Sequence, residues 1–199
     1  MAKSTQPSKR DTQNKKQKTN KFLIFGGISV GVIVVVILLI ITFIKSNNLG
    51  GLMGDPVLIT SSAHVPNDAP AGPYNSNPPA GGTHYETDFS EKFYQESDLA
   101  ALPKYPEGYL VHSLEHGYVI FWYNCQISGT DCDTLKQTIQ TVMDETGKTK
   151  LIAFPWSTME VPLAMTSWGQ ILKFTTLDAD LMKKFVLRNR YQAPEPNAP

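Results

Sequence analysis

"GYLVHSLEHGYVIFWYNC", residues 108–125, decides how the rest of the chain is read. Both ends of the stretch are apolar and aromatic, and between them lies a polar knot with two histidines, a carboxylate and a closing Gly117. Val, Ile, Tyr, Phe and Trp suit a pleated, half-buried surface, so Gly108–Val111 and Tyr118–Asn124 are predicted to be strands. The second has few polar positions and is expected to be central, covered on both faces. His112–Gly117 then becomes the turn that joins them.

Working outward, "CDTLKQTIQTVMDETG" places Leu135, Ile139, Val142 and Met143 on one helical face, with an Asp near its start and Gly147 just past its end. That is an amphipathic helix with its own stop signal. "KLIAFPW", "VPLAMTSW" and "GQILKF" are predicted to be further strands. A last helix runs from Asp178, with Leu181 and Phe185 on one face and basic residues in its closing turns, where they suit the helix dipole. A short helix is expected within residues 86–101, around "SEKFYQESDLAA", and "YNSNPPAGGTHY" reads as an ordered loop. The sum is an α+β domain over residues 74–193, with two or three helices on a small, mostly antiparallel sheet.

Before this domain the chain changes character. Phe22–Ile44 is a run of 23 residues without a charge, where a bilayer core asks for about 20 in a helix. It is longer than a signal-peptide core and lacks a small-residue cleavage site, so it reads as a single uncleaved transmembrane helix. Residues 1–21 carry seven Lys/Arg against Asp11, a net +6, whereas the part beyond Lys45 carries a net −7. The basic tail is therefore expected in the cytoplasm, and the rest outside the cell membrane. A nucleic-acid partner is not needed to explain it: the tail is a topology signal that touches anionic lipid at most. Residues 45–73 are rich in Gly, Pro, Asn and Ser and read as a linker with one short strand-like run, while residues 194–199 form a Pro-rich tail. Cys125 and Cys132 are the chain's two cysteines; outside the cytoplasm, and at a spacing wider than a zinc knuckle, they read as a disulfide closing a short loop.

The chemistry centres on residues 112–117. His112, Glu115 and His116 fit H-x-x-E-H, the inverted zinc-protease pattern, which needs two imidazoles one helical turn apart. Flanking strands and Gly117 argue against that sustained helix. Residues four apart lie on one face of either element, but in a strand they are about 13 Å apart and in a helical turn about 6 Å. Only a turn lets both rings reach one ion. His84 in "GGTHY" is a third ligand candidate and Glu115 a fourth; His with Glu favours zinc, and His with Met159 or Met165 favours copper. The alternative is a hydrogen-bonded polar knot that ties the Gly/Pro-rich loop to the sheet. No catalytic residue is assigned: Ser113 and Ser167 lack a nucleophile elbow, and "PPAGGTHY" lacks the Lys and following helix of a phosphate loop.

"PYNSNPPAGGTHY", "GYLVHSLEHGYVIFWYNC", "PLAMTSWGQ" and "APEP", in that order, resemble the family known as domain of unknown function 3105 over residues 73–196. The resemblance implies a short bacterial protein with an N-terminal membrane segment and no established activity. His84, His112, Glu115 and His116 fall in its characteristic motifs, as do Trp168 and Gly169 in a packing and turn role. Three function classes follow: a copper- or zinc-binding domain, a non-catalytic accessory subunit of a membrane complex, and a metal-dependent hydrolase.

Overall fold

The structure, a computed structural model, describes residues 51–198. The expected cytoplasmic tail and the transmembrane helix at 22–44 lie outside the described residues, among which no helix is long and apolar enough to cross a membrane.

Four full strands build the sheet: β2 (Val119–Tyr123), β3 (Leu151–Pro155), β4 (Leu163–Ser167) and β5 (Gln170–Phe174). A two-residue β1 (Asp55–Pro56) pairs with β5, and the order across the sheet is β1-β5-β4-β2-β3. All neighbours are antiparallel except β2 and β3, where Val119 opposes Leu151 in parallel register. That pair is parallel because helix α2 (Cys132–Thr146) crosses between the two strands, as a parallel connection requires. The expectation of an α+β domain on a mostly antiparallel sheet holds.

β2, β3 and β4 are buried at every position, which explains why they lack polar alternation. Alternate residues feed two cores. Val119, Phe121 and Tyr123 join Leu135, Ile139 and Val142 of α2 and Met182, Phe185 and Val186 of α3 (Ala179–Asn189) in one. Ile120 and Trp122 face the other, with Tyr85, Leu110, Leu114 and Phe154. On the first face the helices follow their local signals. Asp131 caps α2 by accepting from Thr134 N at 3.1 Å, Gly147 ends it at φ 83°, and Asp178 caps α3 by accepting from Leu181 N at 2.9 Å.

On the second face the reading of residues 108–117 is overturned. Gly108–Val111 is no strand: α1 runs from Pro106 to Glu115 and takes in most of the expected turn. Every residue from Gly108 to Glu115 is buried, so this helix has no polar face to reveal a 3.6-residue period. A short apolar run of this kind cannot be told from a buried strand by periodicity. Pro106 in the first turn starts it, and Gly108 is tolerated inside it because a Cβ there would meet the Tyr85 ring at 2.3 Å. The short helix expected within residues 86–101 is present as a 3₁₀ turn, Glu96–Ala101.

The expected linker and the Pro-rich tail are both docked where they are described. Met53 exchanges two hydrogen bonds with the Asn189 side chain, Val57 N donates to Gly169 O, and Ala71 is buried. At the other end, Glu195 N donates to Glu115 O.

Candidate metal centre

Three of the residues singled out in the sequence ride on the end of α1. A helical turn sets His112 and Glu115 three apart on neighbouring positions, and the rings of His112 and His116 lie tilted at 58° with centroids 4.2 Å apart. The end of the helix is tied down from outside. Lys150, itself buried, donates its ammonium to His116 O at 2.7 Å, Pro196 O at 3.2 Å and Ala198 O at 2.6 Å, and Glu195 N takes up Glu115 O at 3.0 Å. The bonds to His116 O and Glu115 O occupy carbonyls that a helix C-terminus leaves unpaired. Burial pulls the Lys150 pKa below its ordinary value, with Glu91 and Asp88 opposing.

His84 enters from the Gly-rich loop and is fully buried against α1, with Trp168 edge-on to its ring. Its backbone pairs in parallel with His64: Val65 N donates to His84 O at 2.7 Å and His84 N to Ala63 O at 3.2 Å. That bridge delivers His64, a residue that the sequence reading left inside the linker. Its only signals were its residue type and a Val-Pro step following it in a polar stretch, too little to select it.

Ring nitrogens of His64, His84 and His112 and a carboxylate oxygen of Glu115 all lie within 4.8 Å of one another. The three rings sit 4.6 Å (His64–His84), 5.4 Å (His64–His112) and 5.3 Å (His84–His112) apart. Of the four residues expected to gather, His84, His112 and Glu115 do so. His116 stands outside this group, with Nδ1 3.6 Å from Asp88 Oδ2 and Nε2 3.7 Å from Glu195 Oε2. The H-x-x-E-H pattern thus lies on a helix, yet only its His112 and Glu115 join the donor set, in which His64 holds the fourth place.

Two features make this more than a set of packed side chains. His84 Nδ1 lies 2.8 Å from Gly82 O, and a carbonyl can only accept, so Nδ1 carries the proton. In the neutral ring Nε2 then presents a lone pair, and it faces Glu115 Oε2 at 2.8 Å, with His64 Nε2 at 3.7 Å from the same oxygen. Two acceptors at that distance repel unless a proton or a cation lies between them. The second feature is His112 Nδ1, the one buried side-chain polar atom among the described residues without a hydrogen-bond partner. Burial, then the neighbouring imidazoles of His116, His84 and His64, push the His112 pKa down to about 4, which keeps the ring neutral and its lone pair free at neutral pH.

The remaining candidates are accounted for otherwise. Ser113 Oγ donates to Tyr109 O and accepts from Phe89 N, and Ser167 Oγ accepts from Asn189. Met165 packs in the core of the opposite sheet face, and Met159 is buried in the aromatic core beneath α1. Cys125 and Cys132 are bonded to each other, which closes the turn into α2 and removes both sulfurs as ligands.

Residues 64–199 match the model of a family described as protein of unknown function (DUF3105), a span that holds all four convergent donors. No curated protein and no solved structure matches the chain.

Proposed function

The chain belongs to the DUF3105 family, and from that premise and the convergent donors we propose that it is a membrane-anchored, extracytoplasmic domain that binds a transition-metal ion. The observation that carries this reading is the approach of three imidazoles and one carboxylate to within 4.8 Å. Three nitrogens and an oxygen form a borderline set that suits zinc or copper(II). His84 is prepared as a ligand by its Nδ1 hydrogen bond to Gly82 O, the outer-shell contact that fixes a metal-binding tautomer. A bound divalent ion would supply the charge that relieves the opposition of His84 Nε2 and Glu115 Oε2. Four protein donors complete a tetrahedron, which makes a holding site and not one with an open position for hydrolysis.

Phe22–Ile44 is proposed as the anchor, with the basic tail inside and the metal domain outside. Metal analysis of the purified full chain tests the central claim. One zinc or copper ion per chain is expected, with loss of uptake when His84 and His112 are both replaced by Ala. Uptake that persists in that double variant, or a wild type that takes up no ion, overturns the proposal.

A further inference from the structure

Resting on the metal reading above, we propose that His64 is the displaceable ligand of the centre, the position at which an incoming imidazole donor takes over or delivers the ion. The four donors are not equivalent. The His64 side chain is 42% exposed, while those of His84 and Glu115 are 0% and 7% exposed. His112 and Glu115 sit on a helix buried from Gly108 onward and tied at its end by Lys150. His84 is held by its own ring bond to Gly82 and by Trp168. His64 has none of these supports. Its neighbours Ser62, Ala63 and Pro66 are exposed, and its ring meets Glu115 Oε2 only at 3.7 Å, beyond a hydrogen bond. Two backbone bonds to His84 place it, and among the described residues no hydrogen bond orients its ring.

A closed four-ligand site exchanges its ion by losing one ligand first, and the ligand that leaves with least disturbance is the exposed, unoriented one. In the exchange one bond forms between the ion and the incoming ring nitrogen, and one breaks between the ion and His64. Coordination number and oxidation state stay the same, and no proton moves. The class of partner follows from the chemistry: a surface histidine of another protein, presented at the exposed side of the centre. His84, His112 and Glu115 then form the retained half of the site.

Cobalt(II), whose absorption reports coordination, tests this on the full chain in detergent micelles. His64→Ala is expected to take up one cobalt per chain with affinity lower by about 10- to 100-fold, the range over which supporting groups of a metal site act. Added imidazole should restore the wild-type spectrum in that variant, and zinc should pass to a chromogenic chelator about 10-fold faster than from wild type. His84→Ala should bind neither ion. The inference is overturned if His64→Ala and His64→Gln, folded by circular dichroism, lose the ion as completely as His84→Ala. It is equally overturned if they bind and release it as wild type does. A wild type that takes up no cobalt or zinc overturns the metal reading itself, a result read without any variant.

Discussion

The two faces of the central sheet are built on different principles. One carries α2 and α3, amphipathic helices with Asp N-caps and a Gly stop, over a core of aliphatic and aromatic side chains. The other carries α1, buried from Gly108 to Glu115, and loops dense in Gly and Pro over an aromatic core, with His84, His112 and Glu115 gathered at its edge. The first face follows local rules and supports the second; the second departs from them, and three of the four convergent donors ride on its helix and its Gly-rich loop.

The largest effect should come from the supporting face and leave the site alone. Phe185 is fully buried in the α3 core, and Phe185→Ala removes a large aromatic group, at a cost of about 3–5 kcal/mol. Urea unfolding should show that loss, while the fraction still folded in dilute buffer keeps wild-type metal affinity. A variant that loses the ion in proportion to more than its unfolded fraction would show that the two faces are coupled.

On the site face, the apoprotein should be sensitive to acid. The His112 pKa of about 4 lies below the ordinary 6.5 because of burial and the three nearby imidazoles, so between those values the unfolded chain binds the proton that the folded one refuses. Stability from this group is complete above pH 6.5 and falls as pH drops toward 4, by at most about 3 kcal/mol. Urea midpoints of metal-free protein between pH 7 and 4.5 check the slope, which His112→Asn should flatten. An unchanged slope in that variant would remove His112 as its source.

What could be read from the residues divides along the same line. α2, α3, β2 and the strands after α2 were legible because each carries its own signal: Leu135, Ile139 and Val142 at helical spacing, Asp131 and Gly147 at the ends, unbroken apolar runs for strands covered on both sides. α1 was not, because burial on all sides removed the polar face that betrays a helix, and the β-branched and aromatic residues of "GYLV" pointed to a strand. The site was legible in part. His84, His112 and Glu115 stood out by type and position; His116 came with them through its four-residue spacing from His112 and its place in the same motif, but its ring turns to Asp88 and Glu195. His64 joins through a single long-range backbone bridge to His84, an event with no local cause in its own segment.

Gly108 sharpens the contrast at a smaller scale. It sits inside a helix, where glycine is disfavoured, because the Tyr85 ring occupies the space of its Cβ. Gly108→Ala should destabilise by about 1–3 kcal/mol through overpacking and, by shifting α1 against the loop that carries His84, weaken metal binding as well. The corresponding substitution at an exposed helix glycine would stabilise. A Gly108→Ala protein that gains stability and keeps its ion would mean that Tyr85 moves aside freely and that the loop, not the helix, sets the geometry of the centre.

The smallest effect separates the faces most cleanly. Asp131 is exposed and caps α2 by accepting from Thr134 N and Oγ1, so Asp131→Ala should cost about 1 kcal/mol, with Asp131→Asn recovering most of it. Nothing comparable caps α1: Tyr105 makes no side-chain cap bond there, and the far end is held by Lys150 and by the backbone of Glu195. Lys150→Met should therefore act on the site, lowering metal affinity through the released end of α1, whereas Asp131→Ala should lower only the urea midpoint. If both variants shift stability and leave affinity untouched, the C-terminal segment fastens the fold without positioning Glu115, and the convergence of donors depends on the His64–His84 bridge and the turns of α1 alone.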